Sequence, residues 1–194
     1  MTDPQRDVAG DLAGELPRVV DSRAVYSGRM ISLRVDEVTL PGGGTALREV
    51  VEHPGAVVVV AVDREARVYL VAQYRHAIAR ELLELPAGAV ERGEEPLNAA
   101  RRELREEVGL EARSWTALGS FFSSPGFANE LLHAYLALEL APVPCEPDED
   151  ENISVLRYPL GEVLDHPEEI LDAKSLAALL LAERALKDVM PGAT

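Results

Sequence analysis

Acidic and basic side chains are concentrated in one short stretch that follows a glycine. Gly88 leads a loop that contains Glu94, and the run Arg102-Glu103-Leu104-Arg105-Glu106-Glu107-Val108-Gly109-Leu110 comes soon after it. On a helix, Glu103 and Glu107 share one face and Glu106 flanks that face. Like charges at this spacing destabilise a bare helix, so the carboxylates either stay in solvent or bind cations. Mg²⁺ prefers carboxylate oxygens and is often shared with substrate phosphates. The stretch therefore predicts a divalent-cation and diphosphate site, with a solvated charged helix as the alternative.

The same stretch contains groups that could hold its loop and helix together. Arg102 can pair with Glu106 at i,i+4, or reach back to Glu94 in the loop. Because Gly88 has no side chain, backbone can approach a metal closely there, and the Ala87 carbonyl is a further candidate ligand.

Strand and helix signals surround this stretch. The β-branched run over residues 55–62 predicts a buried strand, with residues 67–74 as its neighbour across a short turn. Residues 96–108 predict a helix, because proline is tolerated in the first turn and Gly109 suits the position after the last turn. The expected apolar stripe of this helix is Leu97, Ala100, Leu104 and Val108. Further expected strands are residues 82–85, 115–122, 130–140 and 153–158, and residues 174–190 form a last helix.

The N-terminal third differs from the rest. Residues 1–17 predict a disordered tail, and residues 18–52 predict a small antiparallel meander with a Pro-Gly-Gly-Gly turn. Residues 53–194 would form the main domain. Strands and two helices in this order predict an α/β fold, an α/β/α sandwich around a mixed sheet.

Composition excludes several classes of function. The chain has 194 residues and a formal net charge of −15, which disfavours nucleic acid as a partner because phosphate binding needs clustered Lys and Arg. A single cysteine rules out a disulfide framework. No apolar run approaches the length needed to span a bilayer, and the N-terminus lacks a signal pattern. These features predict a cytoplasmic protein without nucleic-acid or membrane partners.

Residues 88–110 resemble the Nudix box at every defined position. The resemblance implies an α/β/α sandwich that cleaves nucleoside diphosphates linked to another group, with Mg²⁺ as cofactor and Mn²⁺ as an alternative. It implies that Glu103, Glu107 and the carbonyl of Ala87 are metal ligands. It also implies that Glu106 supports these ligands or shares the metal, and that Arg102 and Glu94 orient the loop and the helix.

Other segments resemble the ADP-ribose pyrophosphatase branch of that family. These are the Ser124-Pro125-Gly126-Phe127 loop, residues 48–55, Gln73-Tyr74-Arg75, residues 84–88 and the meander, which is exchanged between subunits in relatives. A homodimer that binds a nucleotide sugar is therefore expected. The candidate substrate-binding residues are Tyr26 for stacking on the base, Glu52 for the adenine amino group, Arg48 and Arg75 for the diphosphate, and Ser124, Gly126 and Glu130.

The resemblance also implies that an acidic loop, Asp148-Glu149-Asp150-Glu151, supplies the general base. Glu149 aligns with the base and Glu151 with an additional metal ligand. A solvated acidic loop is the alternative for this run. Two other functions remain open for the chain: a Nudix pyrophosphohydrolase for another nucleoside diphosphate or triphosphate, and a nucleotide-binding Nudix sensor that does not cleave its ligand.

Overall fold

The structure is a computed structural model that describes residues 16–145 and 153–189. The described chain divides into two compact units. The first unit contains the chain up to His53 together with Gly126–Ala128, and the second contains the remaining described residues. None of the helices in these ranges combines the length and apolar character needed to cross a membrane.

The first unit is built on an antiparallel meander. Strands β1 (Val19–Ser27), β2 (Ser32–Thr39) and β3 (Thr45–Glu52) pair in the order β1-β2-β3. The segment that contains Phe127 adds to β3, because the Val51 N–H donates to the Phe127 carbonyl at 2.8 Å. The predicted meander is therefore confirmed. Residues 1–15 of the expected tail lie outside the described residues, and the proposed boundaries at residues 18 and 53 remain predictions.

The second unit contains two sheets. Its strands are β4 (Ala56–Ala61), β5 (Arg67–Arg75), β6 (Arg80–Glu84), β7 (Ala87–Ala89), β8 (Leu110–Phe122), β9 (Leu131–Pro142) and β10 (Ile153–Pro159). One sheet has the order β7-β4-β9-β8 and is mixed, since β4 and β9 run parallel while the other neighbours are antiparallel. The other sheet is antiparallel, with the order β10-β5-β6.

Three helices complete this unit: α1 (Pro96–Val108), α2 (Leu160–Asp165) and α3 (Ala173–Val189). Strand β4 is buried along its whole length because its alternating side chains enter two cores. Val57 and Val59 pack in the cluster that includes Leu104 of α1, whereas Val58 and Val60 pack in the cluster that includes Leu179 of α3. This arrangement confirms the predicted α/β/α layering around a mixed sheet.

Several details differ from the sequence prediction. Strand β5 was expected beside β4, but it pairs with β6 and β10, and only an isolated bridge joins Val62 to Val68. That expectation was wrong because a short turn does not require its two strands to remain in one sheet. Strand β7 and helix α2 were not predicted. The buried face of α1 uses Ala99 in addition to Ala100 and Leu104, while Leu97 is only half-buried.

Candidate active site

The acidic face of α1 is directed inward rather than into solvent. The helix begins at Pro96 and ends at Gly109, whose positive φ of 69° suits glycine. Glu103 and Glu107 lie on the same buried face as Leu104, with 8% and 5% of their surfaces exposed. A buried carboxylate is costly unless it has hydrogen bonds or a cation. The alternative of a solvated charged helix therefore does not hold for these two residues.

Strand β7 lies against this pair of carboxylates. The Ala87 N–H donates a hydrogen bond to Glu107 Oε2 at 2.9 Å. A Cβ atom built on Gly88 would lie well under 3.0 Å from the carboxylate of Glu103. A side chain at position 88 would therefore displace the carboxylate of Glu103 from its place against the strand backbone. The structure thus brings together Ala87, Glu103 and Glu107, three of the predicted metal ligands.

Arg102 connects the loop, the strand and the helix. Its guanidinium donates to Glu94 through Nε (3.3 Å) and Nη2 (3.1 Å), and to the Ala89 carbonyl at 3.0 Å. Its Nη1 donates to Glu103 at 2.6 Å and to Glu106 at 3.0 Å. Both contacts considered for Arg102 from the sequence are present together. Because the guanidinium is engaged on all three nitrogens, its evident task is to hold the three carboxylates in place.

The charges in this cluster shift each other's protonation equilibria. Burial by itself disfavours the charged form of Arg102, but hydrogen bonds and charges of Glu94, Glu103 and Glu106 outweigh burial and raise its pKa. The hydrogen bond from Arg102 in turn lowers the pKa of Glu94. Arg102 therefore stays cationic, and Glu94 stays ionised, throughout the physiological pH range.

The donor set suits a hard divalent cation that shares its coordination with substrate. Within residues 16–145 and 153–189, no group of three or more His, Cys, Asp or Glu side chains is close enough to form a complete metal cage. Mg²⁺ does not need such a cage, since it usually keeps waters and takes one or two carboxylates plus phosphate oxygens. The buried pair Glu103 and Glu107 beside a side-chain-free backbone fits this requirement.

Open space borders the flank of α1 that carries Arg102 and Glu106. A cavity of about 570 Å³ lies between α1 and the start of β8, and both Arg102 and Glu106 line it. Its other lining residues are Arg101, Arg105, Glu111, Ala112 and Trp115. The cavity therefore gives access to Arg102 and Glu106.

Arg75, a predicted diphosphate contact, is held in an ion pair. Its Nε and Nη2 donate to the two carboxylate oxygens of Glu84, each at 2.8 Å. Hydrogen bonds to Glu84 raise the pKa of Arg75 against the opposing effect of burial, and the charges of Asp172 and Glu107 act in the same direction. Arg75 therefore lies within electrostatic reach of the carboxylate face of α1.

Two other predicted substrate-binding residues share a second cavity. Ser124 and Glu130 line a space of about 370 Å³, together with Asp172 and Lys174 from the region where α3 begins. The remaining lining residues are Phe121, Phe122, Ser123, Leu132, Ala173 and Ala177. The lining includes hydroxyl, carboxylate and ammonium groups, which can form hydrogen bonds to a hydroxylated ligand such as a sugar.

The predicted residues of the first unit divide between two faces of the meander. In the register of β2 and β3, Arg48 lies opposite Asp36, and Glu52 lies opposite Ser32. The side chains of Arg48 and Glu52 therefore share one face of the meander. Tyr26 pairs with Leu33, which places it on the opposite face. Glu52 accepts hydrogen bonds from Ser32 Oγ at 3.1 Å and Arg34 Nη1 at 3.4 Å. A single meander therefore does not bring Tyr26 beside Arg48 and Glu52.

Tyr26 nevertheless has a defined environment. It is exposed, and its ring lies over Gly28, where an added Cβ atom would come within 2.6 Å of the tyrosine hydroxyl oxygen. Gly28 therefore makes room for the ring. Gly126 belongs to the exposed segment that pairs with β3, and it is assigned to the first unit.

The predicted base, Glu149, and the additional ligand, Glu151, lie outside the described residues. The flanking residues are described: Cys145 Sγ lies 3.0 Å from the carbonyl oxygen of Glu106, and Ile153 pairs with Gln73 of β5. Cys145 thus lies beside the carboxyl-terminal half of α1, and Ile153 lies beside the strand that carries Arg75.

Reasoning from the sequence missed three charged residues of this region: Glu84, Asp172 and Lys174. Glu84 was noted only as part of a resembling segment, although a glutamate between apolar residues just before Pro86 could have suggested a buried carboxylate. No sequence signal connects Lys174 to Glu84, because the two are 90 residues apart.

Comparison with known proteins shows which families and proteins the chain is similar to. The NUDIX domain family matches residues 51–179, and the nucleoside diphosphate sugar hydrolase N-terminal domain matches residues 18–51. The ADP-ribose pyrophosphatase of Bacillus subtilis (strain 168) is 42% identical over 166 residues, which cover 84% of this chain and 90% of that protein. The methanol dehydrogenase activator of Bacillus methanolicus is 40% identical over 176 residues, covering 88% and 95% respectively. A crystal structure of an ADP compounds hydrolase is similar with a TM-score of 0.83 and 25% identity, covering 94% of this chain and 99% of that one.

Proposed function

Since the chain belongs to the Nudix family of hydrolases, we propose that it cleaves the diphosphate of ADP-ribose, or of a related nucleotide sugar, to AMP and ribose 5-phosphate. The observation that carries the proposal is the buried pair Glu103 and Glu107, held by Arg102 and by the Ala87 N–H. The relative named ADP-ribose pyrophosphatase supports the choice of substrate. The net charge of −15 also favours a small molecule over nucleic acid as the partner.

We propose Mg²⁺ as the cofactor, with Mn²⁺ as a substitute. Glu103, Glu107 and the Ala87 carbonyl would hold it, with Glu151 as an additional ligand. A divalent cation at this position neutralises diphosphate oxygens and lowers the pKa of a water molecule. The strong pairing of Arg102 with Glu94, Glu103 and Glu106 keeps the carboxylates in place before any cation binds.

The protein side chains have separate tasks in the proposed reaction. Arg75 would bind the diphosphate, and Glu106 at the cavity edge would support the metal-binding pair. Glu149 would take the proton from the attacking water, whose oxygen forms a bond to phosphorus while the bridging P–O bond breaks. Cys145 and Ile153, the described residues that flank Glu149 in sequence, lie next to Glu106 and next to β5 respectively, which supports this assignment.

We propose that the nucleotide pocket is completed by a second copy of the chain. Tyr26 and the pair Arg48 and Glu52 lie on opposite faces of one meander, so two meanders would be needed to place them on one nucleotide. The first unit also leaves large apolar side chains exposed. They include Val19, Val20, Val25, Met30 and Leu47. Ser124, Gly126 and Glu130 would bind the distal sugar.

A substrate panel with product separation tests the proposed activity. Wild-type protein is incubated with Mg²⁺ and ADP-ribose, a second nucleotide sugar or a nucleoside triphosphate, and the products are separated by chromatography. We expect AMP and ribose 5-phosphate in equal amounts from ADP-ribose. Faster release of pyrophosphate from the triphosphate would instead indicate a different Nudix pyrophosphohydrolase. Tight binding of ADP-ribose without any cleavage would indicate a sensor.

The base and the homodimer are tested separately. Glu149→Gln should lower turnover while leaving Mg²⁺ and substrate binding nearly intact, whereas Glu151→Gln should mainly raise the Mg²⁺ requirement. Loss of all activity in Glu151→Gln with full activity in Glu149→Gln would exchange the two assignments. Light scattering should give twice the chain mass of 21.0 kDa. A fully active protein with the single-chain mass at micromolar concentration would contradict the shared pocket.

A further inference from the structure

Glu84 is a buried carboxylate that no step of the proposed reaction uses. Only 1% of its surface is exposed, and it ends β6, three residues before Ala87. Burial by itself would raise the pKa of Glu84, but the hydrogen bond from Arg75 and the charge of Lys174 outweigh burial and lower it. Glu84 is therefore an anion placed between two cations.

The first turn of α3 holds this anion. Lys174 Nζ contacts Glu84 Oε2 and also donates to Asp172 Oδ2 at 2.7 Å. Asp172 accepts a hydrogen bond of 2.6 Å from Ser175 Oγ, which in turn accepts one of 2.7 Å from the Leu85 N–H. Two consecutive residues of the segment that leads to Ala87 are thus fixed to the start of α3.

The guanidinium of Arg75 is held along one edge, and its other edge is left for a ligand. Glu84 engages the Nε–Nη2 edge of the guanidinium, and Nη1 makes no hydrogen bond to any residue in the described part of the chain. A guanidinium can bind anions on two edges, so the outer edge remains available. The charge of Glu107 acts on Arg75, so the guanidinium lies within electrostatic range of the metal-binding face of α1.

A purely stabilising role explains this network poorly. Replacing a buried ion pair by apolar residues of similar volume is often neutral or stabilising, because desolvation offsets most of the electrostatic attraction. A long, flexible arginine side chain, in contrast, loses entropy when it binds a ligand, and holding it beforehand increases affinity. The network therefore fits a task in binding better than a task in folding.

We propose that Glu84 and Lys174 are positioning residues that hold Arg75 ready for the substrate diphosphate, so that the first turn of α3 sets substrate affinity. The proposal rests on the proposed role of Arg75 in binding the diphosphate. Lys174 and Asp172 also line the cavity that contains Ser124 and Glu130, which connects the network to the side where the distal sugar would bind.

A double-mutant cycle tests the proposal. KM and kcat are measured for Lys174→Met and Glu84→Gln, each in the wild-type background and in an Arg75→Ala background, with whichever substrate of the panel is cleaved fastest. Lys187→Met is the matched control, because Lys187 lies on the same helix, is itself exposed, and within the described residues pairs only with the half-buried Glu183 at 2.7 Å.

We expect Lys174→Met to raise KM about tenfold with kcat nearly unchanged, within the range of coupling for residues of one ion-pair network. In the Arg75→Ala background the same substitution should change KM less than about twofold, because the positioned group is gone. Lys174→Arg should restore most of the affinity, and Lys187→Met should have no effect. If Glu84→Gln does not fold, Lys174→Met alone decides the question.

Two results would overturn the inference. An equal rise of KM in both backgrounds would show that Lys174 acts independently of Arg75, and an unchanged KM in the wild-type background would show that it has no role in affinity. Failure of the proposed function is recognised separately, because wild-type protein would then leave ADP-ribose intact while the cycle could still be measured with another substrate.

Discussion

Removal of the Arg102 guanidinium is the most informative single change in the acidic cluster. In Arg102→Met, the aliphatic part of the side chain is retained while all five hydrogen bonds to Glu94, Glu103, Glu106 and the Ala89 carbonyl are lost. The three carboxylates then face one another without a fixed cation. Helix and loop should both be destabilised as a result.

The magnitude follows from the burial of these groups. Breaking a fully buried ion pair by removing one partner costs about 3–5 kcal/mol. The Arg102 side chain is 27% exposed and that of Glu106 is 32% exposed, so solvent screens part of the lost attraction. We therefore expect a loss of about 2–3 kcal/mol in the free energy of unfolding, which lowers Tm by about 4–12 °C for a domain of this size.

Thermal unfolding followed by circular dichroism measures this loss. Arg101→Met is the matched control, since Arg101 is the preceding residue of α1, is exposed, and within the described part of the chain makes only one side-chain hydrogen bond, to Asn98 at 3.4 Å. The control should unfold within about 2 °C of wild type, the range expected for a surface substitution. Equal Tm values for Arg102→Met and Arg101→Met would refute the reasoning.

Three further predictions concern single positions. Gly88→Ala should lower turnover about 10²-fold, because the added Cβ displaces the carboxylate of Glu103 and a misplacement of about 1 Å has an effect on this scale. Steady-state kinetics measures the turnover. Gly28→Ala should raise KM for ADP-ribose about fivefold or more with little change in kcat, because it displaces the exposed ring of Tyr26 from its position. Glu84→Gln should lower the free energy of unfolding at pH 7 by about 3–5 kcal/mol. Because the folded-state pKa of Glu84 is lowered, this difference from wild type should be constant above about pH 5 and shrink below about pH 4, as urea unfolding at several pH values would show.

The controls for these predictions come from the same chain. Gly161→Ala matches both glycine substitutions, because a Cβ at position 161 meets no atom within 4 Å. Unchanged turnover in Gly88→Ala would show that Glu103 can move without consequence. Unchanged KM in Gly28→Ala would remove Tyr26 from the nucleotide pocket. A wild-type advantage over Glu84→Gln that is as large at pH 3 as at pH 7 would mean that the charge of Glu84 is not the stabilising feature.

Local patterns predicted most of the fold. The β-branched run of β4 predicted a strand buried on both faces, and the spacing around α1 predicted its start at Pro96 and its end at Gly109. Partner choice among strands was harder, because the pairing of β5 with β10 joins residues such as Val71 and Val155 that are distant in sequence. Strand β7, only three residues long, was too short to show a period.

In the candidate site, too, local features could be predicted from the sequence and long-range contacts could not. The box residues lie on one helix and the preceding loop, so their spacing alone was enough to predict that Glu103 and Glu107 share a face. The contact between Lys174 and Glu84, in contrast, depends on how α3 packs on the sheets, and no local pattern encodes it. Likewise, the separation of Tyr26 from Glu52 follows from an irregularity between Ala24 and Tyr26 in β1 that the sequence did not indicate.

The central claim is that Glu103 and Glu107 form a divalent-cation site that supports hydrolysis of ADP-ribose. The most direct test is the rate of AMP formation from ADP-ribose as Mg²⁺ is titrated, for wild type and for Glu103→Gln and Glu107→Gln, with folding checked by circular dichroism. We expect wild-type activity to depend fully on Mg²⁺ and each folded variant to be about 10²–10⁴-fold slower. Undiminished AMP formation in the presence of a chelator, or in either variant, would contradict the claim.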